Sequence, residues 1–209
     1  TDVPVATAPA VSAGAQAPDA PDAWNAVLAT REPSYPDIVT FVQQIAPHHV
    51  QLVGPDASMA DGAAYVALGA IAGRGVTILG FRGGPGSPYV SAADLARVRL
   101  AVETSVDLGL PVVAVIDLQG GELTARAEEA GIAREIARSL AAFASAAVPT
   151  VAVLLGKGSG GAAFAIGATD AVVALPQAWL APLQPEGASA IVYRDADHAA
   201  ELARTQGIT

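Results

Sequence analysis

The chain has 209 residues and carries 11 Lys and Arg against 20 Asp and Glu, a formal net charge of −9. A balance this acidic, with no basic stripe, argues against a nucleic-acid or anionic-membrane surface, since both need clustered cations to neutralise phosphate. With 52% apolar and 15% charged residues, the composition is that of a well-buried globular chain of roughly one to two domains. Cysteine is absent, which removes disulfides, thiolate nucleophiles and thiolate metal ligands and fits a reducing, cytoplasmic setting.

Residues 1–22 are rich in Ala, Pro, Ser and Asp without an apolar period, so ordering them would bury too little surface to offset the entropy lost; they read as a linker or arm. Neither a basic leader with an apolar core nor a long apolar run is present, so no signal peptide or spanning helix is expected. Asp22 is a candidate N-cap for a short helix bearing Trp24, Val27 and Leu28. Pro36 fits the first position of a second helix with Phe41 and Ile45 on one face. Tyr65 to Ala72 and Gly75 to Phe81 read as two strands of a hairpin turning at Gly73 and Arg74.

After the glycine-rich loop from Gly83 to Ser87, Ser91 and Asp94 form a capping-box signature. Leu95, Val98, Val102 and Val106 then recur at helical spacing until Gly109. Pro111 to Asp117 is a continuous apolar strand ending in a carboxylate. A long helix is expected over 125–146, with Ile132, Ile136, Leu140 and Phe143 facing inward. Pro149 to Leu155 is the next buried strand, followed by a glycine turn from Gly156 to Gly161, a small-residue helix from Ala162 to Gly167, and strands at 171–175 and 178–183. Strand starts near Val76, Val112 and Val151 are about 36 to 39 residues apart, each followed by a glycine turn and a helix. That period indicates repeated strand-helix units and an α/β fold, with an ordinary doubly wound sheet as the competing arrangement. The strands are apolar rather than alternating, so both faces of a sheet should be covered.

Two glycine turns at strand ends are the candidate chemistry. In Gly156 Lys157 Gly158 Ser159 Gly160 Gly161 Ala162, a glycine pair enters a helix directly after a buried strand, where backbone N–H groups can hold an oxyanion or a phosphate. Close strand-helix packing explains the same glycines equally well. Lys157 stands at the wrong end for a nucleotide-binding P-loop, and Ser159 lacks the flanking glycine of a hydrolase elbow. Asp117 Leu118 Gln119 Gly120 Gly121 Glu122 lies at the carboxyl end of another strand, where α/β folds place ligands. Glu128 and Glu129 read as a solvated helix face, and Glu186 as a cap for a helix beginning near Ala188. His48, His49 and His198 read as isolated surface histidines, so no metal site is expected.

These ordered segments resemble a family, the α subunit of the carboxyltransferase of acetyl-CoA carboxylase, within the crotonase-like superfamily. Family members read Asp-Thr-Pro-Gly-Ala where this chain has Asp117 to Gly121, and Ala-Glu-Glu-Arg-Gly where it has Ala127 to Gly131. The segment Ile136 Ala137 Arg138 Ser139 Leu140 is close to Ile-Ala-Arg-Asn-Leu. Gly156 to Ala162 resembles Gly-Glu-Gly-Gly-Ser-Gly-Gly-Ala with one glycine fewer, and Pro185 to Ile191 resembles Pro-Glu-Gly-Cys-Ala-Ser-Ile.

The resemblance implies a crotonase-like spiral of strand-strand-helix units over residues 23–209, shorter at its C-terminal end than the family. The implied activity transfers carboxylate from carboxybiotin, on a separate biotin carboxyl carrier protein, to acetyl-CoA or a similar acyl-CoA, giving malonyl-CoA or its analogue. Gly160, Gly161 and Ala162 would form the oxyanion hole for the biotin carbonyl, with Gly120, Gly121, Gly158, Ser159 and Glu186 as substrate-binding positions. A carboxyltransferase β subunit or domain would complete the site, in a hetero-oligomer such as a dimer of α-β pairs, and no metal would be held by this chain. Leu118, Gln119, Ala130 and Lys157 depart from the family pattern. They keep open a noncatalytic scaffold, or a biotin-independent decarboxylase or hydratase of the same superfamily.

Overall fold

The structure, a computed structural model, describes residues 22–52, 62–84 and 86–209; the expected arm, up to residue 21, and Pro85 of the first glycine loop lie outside them. Asp22 caps α1 (Ala23–Ala29), its carboxylate accepting from the N–H groups of Trp24 and Asn25. Helix α2 (Ile38–Ile45) is capped by Asp37, which accepts from the Thr40 N–H at 2.8 Å. Pro36 therefore sits just outside the cap and not at the first helical position, because the carboxylate one residue later satisfies the first turn.

Strand β1 (Val50–Gln51) pairs with β2 (Ala64–Ile71), and β2 pairs antiparallel with β3 (Arg74–Phe81). The ladder joins Ile71 to Arg74, so the turn is Ala72–Gly73, one residue earlier than the sequence suggested. Both turn residues are left-handed, with φ of 50° and 78°, as a two-residue turn matched to strand twist requires. Helix α3 (Ala92–Leu108) has the full Ser91/Asp94 capping box and ends on left-handed Gly109. Asp94 also accepts from the Ala64 N–H at 3.0 Å, tying the helix start to β2.

After β4 (Val112–Ile116), the helix expected over 125–146 is broken into α4 (Ala125–Glu129) and α5 (Ile132–Ala144). The break falls at Gly131, whose φ of 81° cannot continue a right-handed helix. On α5, Ile132 and Phe143 are buried and Ile136 is partly so, whereas Leu140 is 44% exposed. The inward place belongs to Ser139, fully buried and donating to the Leu95 carbonyl at 3.3 Å, because a 3.6-residue period running from Ile132 through Ile136 reaches 139 before 140.

The chain continues with β5 (Thr150–Leu154), β6 (Lys157–Ser159), α6 (Gly160–Ile166), β7 (Ala171–Ala174), β8 (Trp179–Ala181), α7 (Pro185–Val192) and α8 (Ala199–Thr205). The segment expected to be only a turn thus contains β6, and α6 and α7 begin two and three residues earlier than expected. The sheet runs β1-β2-β3-β4-β5-β7, and β6 and β8 form a second, two-stranded layer. Strands β3, β4 and β5 are parallel neighbours, with Ile78, Val113 and Val151 in register, which is the structural basis of the sequence period. β5-β6-α6 and β7-β8-α7 are successive strand-strand-helix units.

One face of the sheet packs Leu79, Ala114, Ile116 and Ala152 against Leu95, Val98 and Val102 of α3, Ile132 and Phe143 of α5, and Ala163 and Ile166 of α6. The other face packs Tyr65, Ala67, Ile78 and Val115 against Ile38 and Val42 of α2. Between α3 and α5, Arg99 meets Glu135 at 3.3 Å, and Arg138 meets it at 2.9 Å. Burial pushes the Glu135 carboxyl up, but the two guanidiniums outweigh it and hold it below the usual range. Among the described residues no helix is long and apolar enough to cross a membrane.

Exposed Ala72 carries a Cβ in a region that L-residues enter at a cost of about 1 kcal/mol. Ala72→Asn is therefore expected to raise unfolding stability by about 0.5–1 kcal/mol, read as a higher denaturant midpoint at unchanged m-value.

Candidate active site

The carboxyl ends of β3, β4 and β5 meet at one buried carboxylate. Asp117 is 2% exposed; it accepts from the Lys157 backbone N–H at 3.3 Å and faces the Lys157 ammonium at 3.7 Å. The backbones of Gly83 and Gly156 press against it: a Cβ on Gly83 would lie 2.2 Å from the Asp117 carbonyl oxygen, and one on Gly156 2.8 Å from its carboxylate. No side chain fits in either gap. Tyr35 closes the knot by donating from its hydroxyl to the Leu155 carbonyl at 2.7 Å. Burial, then the nearby Asp117 charge, pushes the Tyr35 hydroxyl up. Burial likewise lifts the Asp117 carboxyl above the ordinary range, with the Lys157 ammonium and N–H opposing in part.

Two loops extend from this knot into one cavity of 390 Å³. The first, after β4, is held by a bridge between Val90 and Gly121: the Val90 N–H donates to Gly120, and the Glu122 N–H to Val90. The second is the Ser159–Gly160 step from β6 into α6. Gly160 has φ 75°, a turn that places the helix start beside Gly120, whose Cβ position is 3.8 Å from the Ser159 carbonyl and hydroxyl. The N–H groups of Gly161 and Ala162 precede the first intrahelical bond, and the Ser159 side chain does not cap them; the Gly160 N–H is turned to the Ala181 carbonyl by the Ser159–Ala181 strand pairing, Pro182 having no N–H to serve the alternative. Gly161 and Ala162 can therefore hold an anionic oxygen at the cavity wall.

Of the residues singled out in the sequence, Gly120, Gly121, Ser159, Gly160, Gly161 and Ala162 line this cavity together. Gly158 lies beneath it in β6, buried and paired with Leu180. Glu186 is outside it. It neither caps a helix at Ala188 nor lines the cavity; it sits in the first turn of α7, bidentate to Arg31 at 2.6 and 3.0 Å. Burial pushes its carboxyl up, but the Arg31 hydrogen bond, its own backbone N–H and the Arg31 charge together outweigh that and hold it low. Glu128, read as a solvated helix face, lines the rim.

The sequence reading missed the walls. Ile132 and Ile136 of α5, Leu183, and Tyr89 and Leu123 form the apolar part of the lining, beside Gln119, Glu122 and Gln184; Tyr89 is 54% and Leu123 86% exposed. An apolar Leu123 in the polar run Gly121 Glu122 Leu123 Thr124 was the available signal. The histidines lie elsewhere: His49 contacts the Ala46 carbonyl and the Tyr65 hydroxyl, and His198 stacks on Tyr193 and meets Asp195 at 2.9 Å. Among the described residues no group of three or more His, Asp or Glu is placed to hold a metal.

Removing one partner of a buried charge pair costs about 3–5 kcal/mol, and Lys157→Met is expected to lose that much stability at neutral pH. The remaining Asp117 carboxyl would have its pKa raised further. A group whose folded pKa is raised contributes stability that is full below the unfolded value, about 4, and lost as pH rises through the folded value. Denaturation midpoints should therefore show the deficit of the variant shrinking on acidification.

A family model described as acetyl co-enzyme A carboxylase carboxyltransferase-like matches residues 97–209. The chain is 43% identical over 203 residues to the probable biotin-dependent acyl-coenzyme A carboxylase beta3 subunit of Mycobacterium tuberculosis, covering 96% of this chain and 40% of that protein. It is 31% identical over 196 residues to the acetyl-coenzyme A carboxylase carboxyl transferase subunit alpha of Phenylobacterium zucineum, covering 90% and 61%. The crystal structure of transcarboxylase 12S superposes with a TM-score of 0.71 at 23% identity, over 81% of this chain and 35% of that one. The chain thus spans about two-fifths of the length of the first of these relatives, and it shares the crotonase-like fold of the carboxyltransferases. By its motifs, its fold and the match over residues 97–209, this chain belongs to the acetyl co-enzyme A carboxylase carboxyltransferase-like family.

Proposed function

We propose that residues 23–209 form the α-type carboxyltransferase part of a biotin-dependent acyl-CoA carboxylase, with residues 1–22 as an arm. It would transfer carboxylate from carboxybiotin on a carrier protein to acetyl-CoA or a related acyl-CoA, a β-type part completing the site. The observation that carries this reading is the convergence of two glycine loops, with the first-turn N–H groups of α6, on one apolar-walled cavity. Carboxybiotin would supply the carboxylate, and its freed ureido nitrogen would take the α-proton of the acyl-CoA.

The work of this chain is then to bind and orient. The N–H groups of Gly161 and Ala162, placed by the turn at Gly160, stabilise the negative charge that develops on a urea-type carbonyl oxygen as the carboxylate leaves, a gain that is largest where water is excluded. Ile132 and Ile136 supply the apolar wall that excludes it. Gly120 and Gly121 leave room for a ligand to approach the backbone. No side-chain base is needed on this chain, in keeping with histidines that lie away from the cavity.

Of the four departures from the family pattern, only Gln119 lines the cavity. Leu118 is fully buried, Lys157 is buried against Asp117, and Ala130 ends α4. Three of the four therefore leave the cavity surface unchanged, which favours the catalytic reading over the scaffold. Which acyl-CoA is accepted would be set by the walls at Tyr89, Leu123 and Leu183.

Mixing the chain with a cognate β-type part, malonyl-CoA and free biocytin should release acetyl-CoA only when biocytin and this chain are both present. Decarboxylation without biocytin would instead favour the biotin-independent enzyme, and no turnover from a stable complex the scaffold. A Cβ on Gly161 would lie 3.1 Å from Ile136, and the methyls of valine would crowd the donor. Gly161→Val is expected to lower transfer by about 10²-fold or more, with the complex still forming on a sizing column.

A further inference from the structure

A second, smaller chamber of 170 Å³ adjoins the cavity, lined by Arg31, Gln119, Lys157, Trp179 and Gln184. Gln119 and Gln184 line both spaces, and Gln184 Nε2 donates to the Gln119 carbonyl at 2.6 Å, so these two residues are the partition. The lining holds two cations, two amides and an indole, and no carboxylate. The acids that pair with the cations stand outside it: Glu186 holds Arg31, and Asp117 faces Lys157.

Lys157 is the informative member. The residue is 8% exposed, and its ammonium lies 3.7 Å from Asp117 and 3.5 Å from the Thr30 carbonyl. Charge-assisted hydrogen bonds of an ammonium run at about 2.7–2.9 Å, so both contacts are long and the group can still take a shorter acceptor from the chamber. Trp179 spends its ring N–H on the Thr30 hydroxyl at 2.9 Å, leaving the indole as a wall. With liquid water occupying about 30 Å³ per molecule, the chamber has room for an anion of a few heavy atoms with some water.

We propose that this chamber is a subsite for one carboxylate-type group, an O–C–O anion held by Lys157 and Arg31 beside the Gln119–Gln184 partition. The shared chemistry has two sources: free bicarbonate or a simple carboxylate, or the terminal carboxylate of a malonyl-type thioester lying in the larger cavity. Only the second source rests on the carboxyltransferase reading; anion binding itself does not.

Trp24 and Trp179 are the two tryptophans, so in a Trp24→Phe background the emission of Trp179 reports the chamber. Bicarbonate and acetate, titrated against chloride at matched ionic strength, should each give a saturable change that chloride does not. Arg31→Gln should raise the midpoint about tenfold, the loss expected for one charged hydrogen bond. Gln119→Glu, which puts a carboxylate into the chamber and keeps the backbone carbonyl of the partition, should abolish the change. A saturable response to malonyl-CoA, but to neither small anion nor acetyl-CoA, with the same dependence on Arg31, would assign the group to the thioester. Responses that never saturate, that chloride reproduces, or that survive both substitutions would overturn the proposal, whatever the chain does catalytically.

Discussion

The Asp117 carboxylate, wedged between the backbones of Gly83 and Gly156 and answered by Lys157, is the constraint on which the rest of the functional end depends. It sits where three parallel strands finish: Gly83 follows β3, Asp117 itself follows β4, and Gly156 and Lys157 follow β5. A buried charge pair is poor evidence of net stability, since desolvation consumes most of the attraction. Its value here is positional: with one carboxylate fixed, the chain after β4 and the chain after β5 have a single relative placement, and Gly120 and Ser159 are brought side by side.

From that placement follows a site whose candidate oxyanion donors are backbone N–H groups. Apolar strands form the sheet, their side chains are consumed by α2 on one face and by α3, α5 and α6 on the other, and few side chains remain to do chemistry at the strand ends. What the ends expose are glycine turns and the first-turn N–H groups of a short helix that no side chain caps. Such donors are held by the fold itself and need no reorganisation when charge develops near them. The apolar wall from α5 makes each of them count for more, because an electrostatic interaction strengthens as water is excluded.

The flank of the site is built from segments distant in sequence. Trp179 of β8 packs with Val27 of α1 and Ala203 of α8, Arg204 of α8 pairs with Asp22, and Arg31 reaches Glu186 of α7. The turn after α1 thereby delivers Arg31 and the Thr30 carbonyl to the same small space that Lys157 enters from β6. Exposed ion pairs contribute little stability each; two of them across this seam help to fix where Arg31 stands.

The sequence by itself determined the local grammar: the caps at Asp22, Ser91 and Asp94, the stop at Gly109, the apolar strands spaced by about one strand-helix unit, and the glycine loops at Gly120 and Gly160, whose ordered motifs pointed to the family. These features are legible because capping, strand burial and left-handed turns are decided by a few neighbouring residues. Tertiary structure decided the rest. It set the hairpin turn at Ala72–Gly73 through the β2–β3 register, broke the long helix at Gly131, and gave Ser139 the inward place expected for Leu140. It also moved Glu186 out of the cavity into a pair with Arg31, 155 positions away, and made Tyr89, Leu123 and Ile136 walls of one site. Those outcomes turn on which distant surfaces meet, and no local pattern encodes the distance between Lys157 and Thr30 or between Gly120 and Ser159.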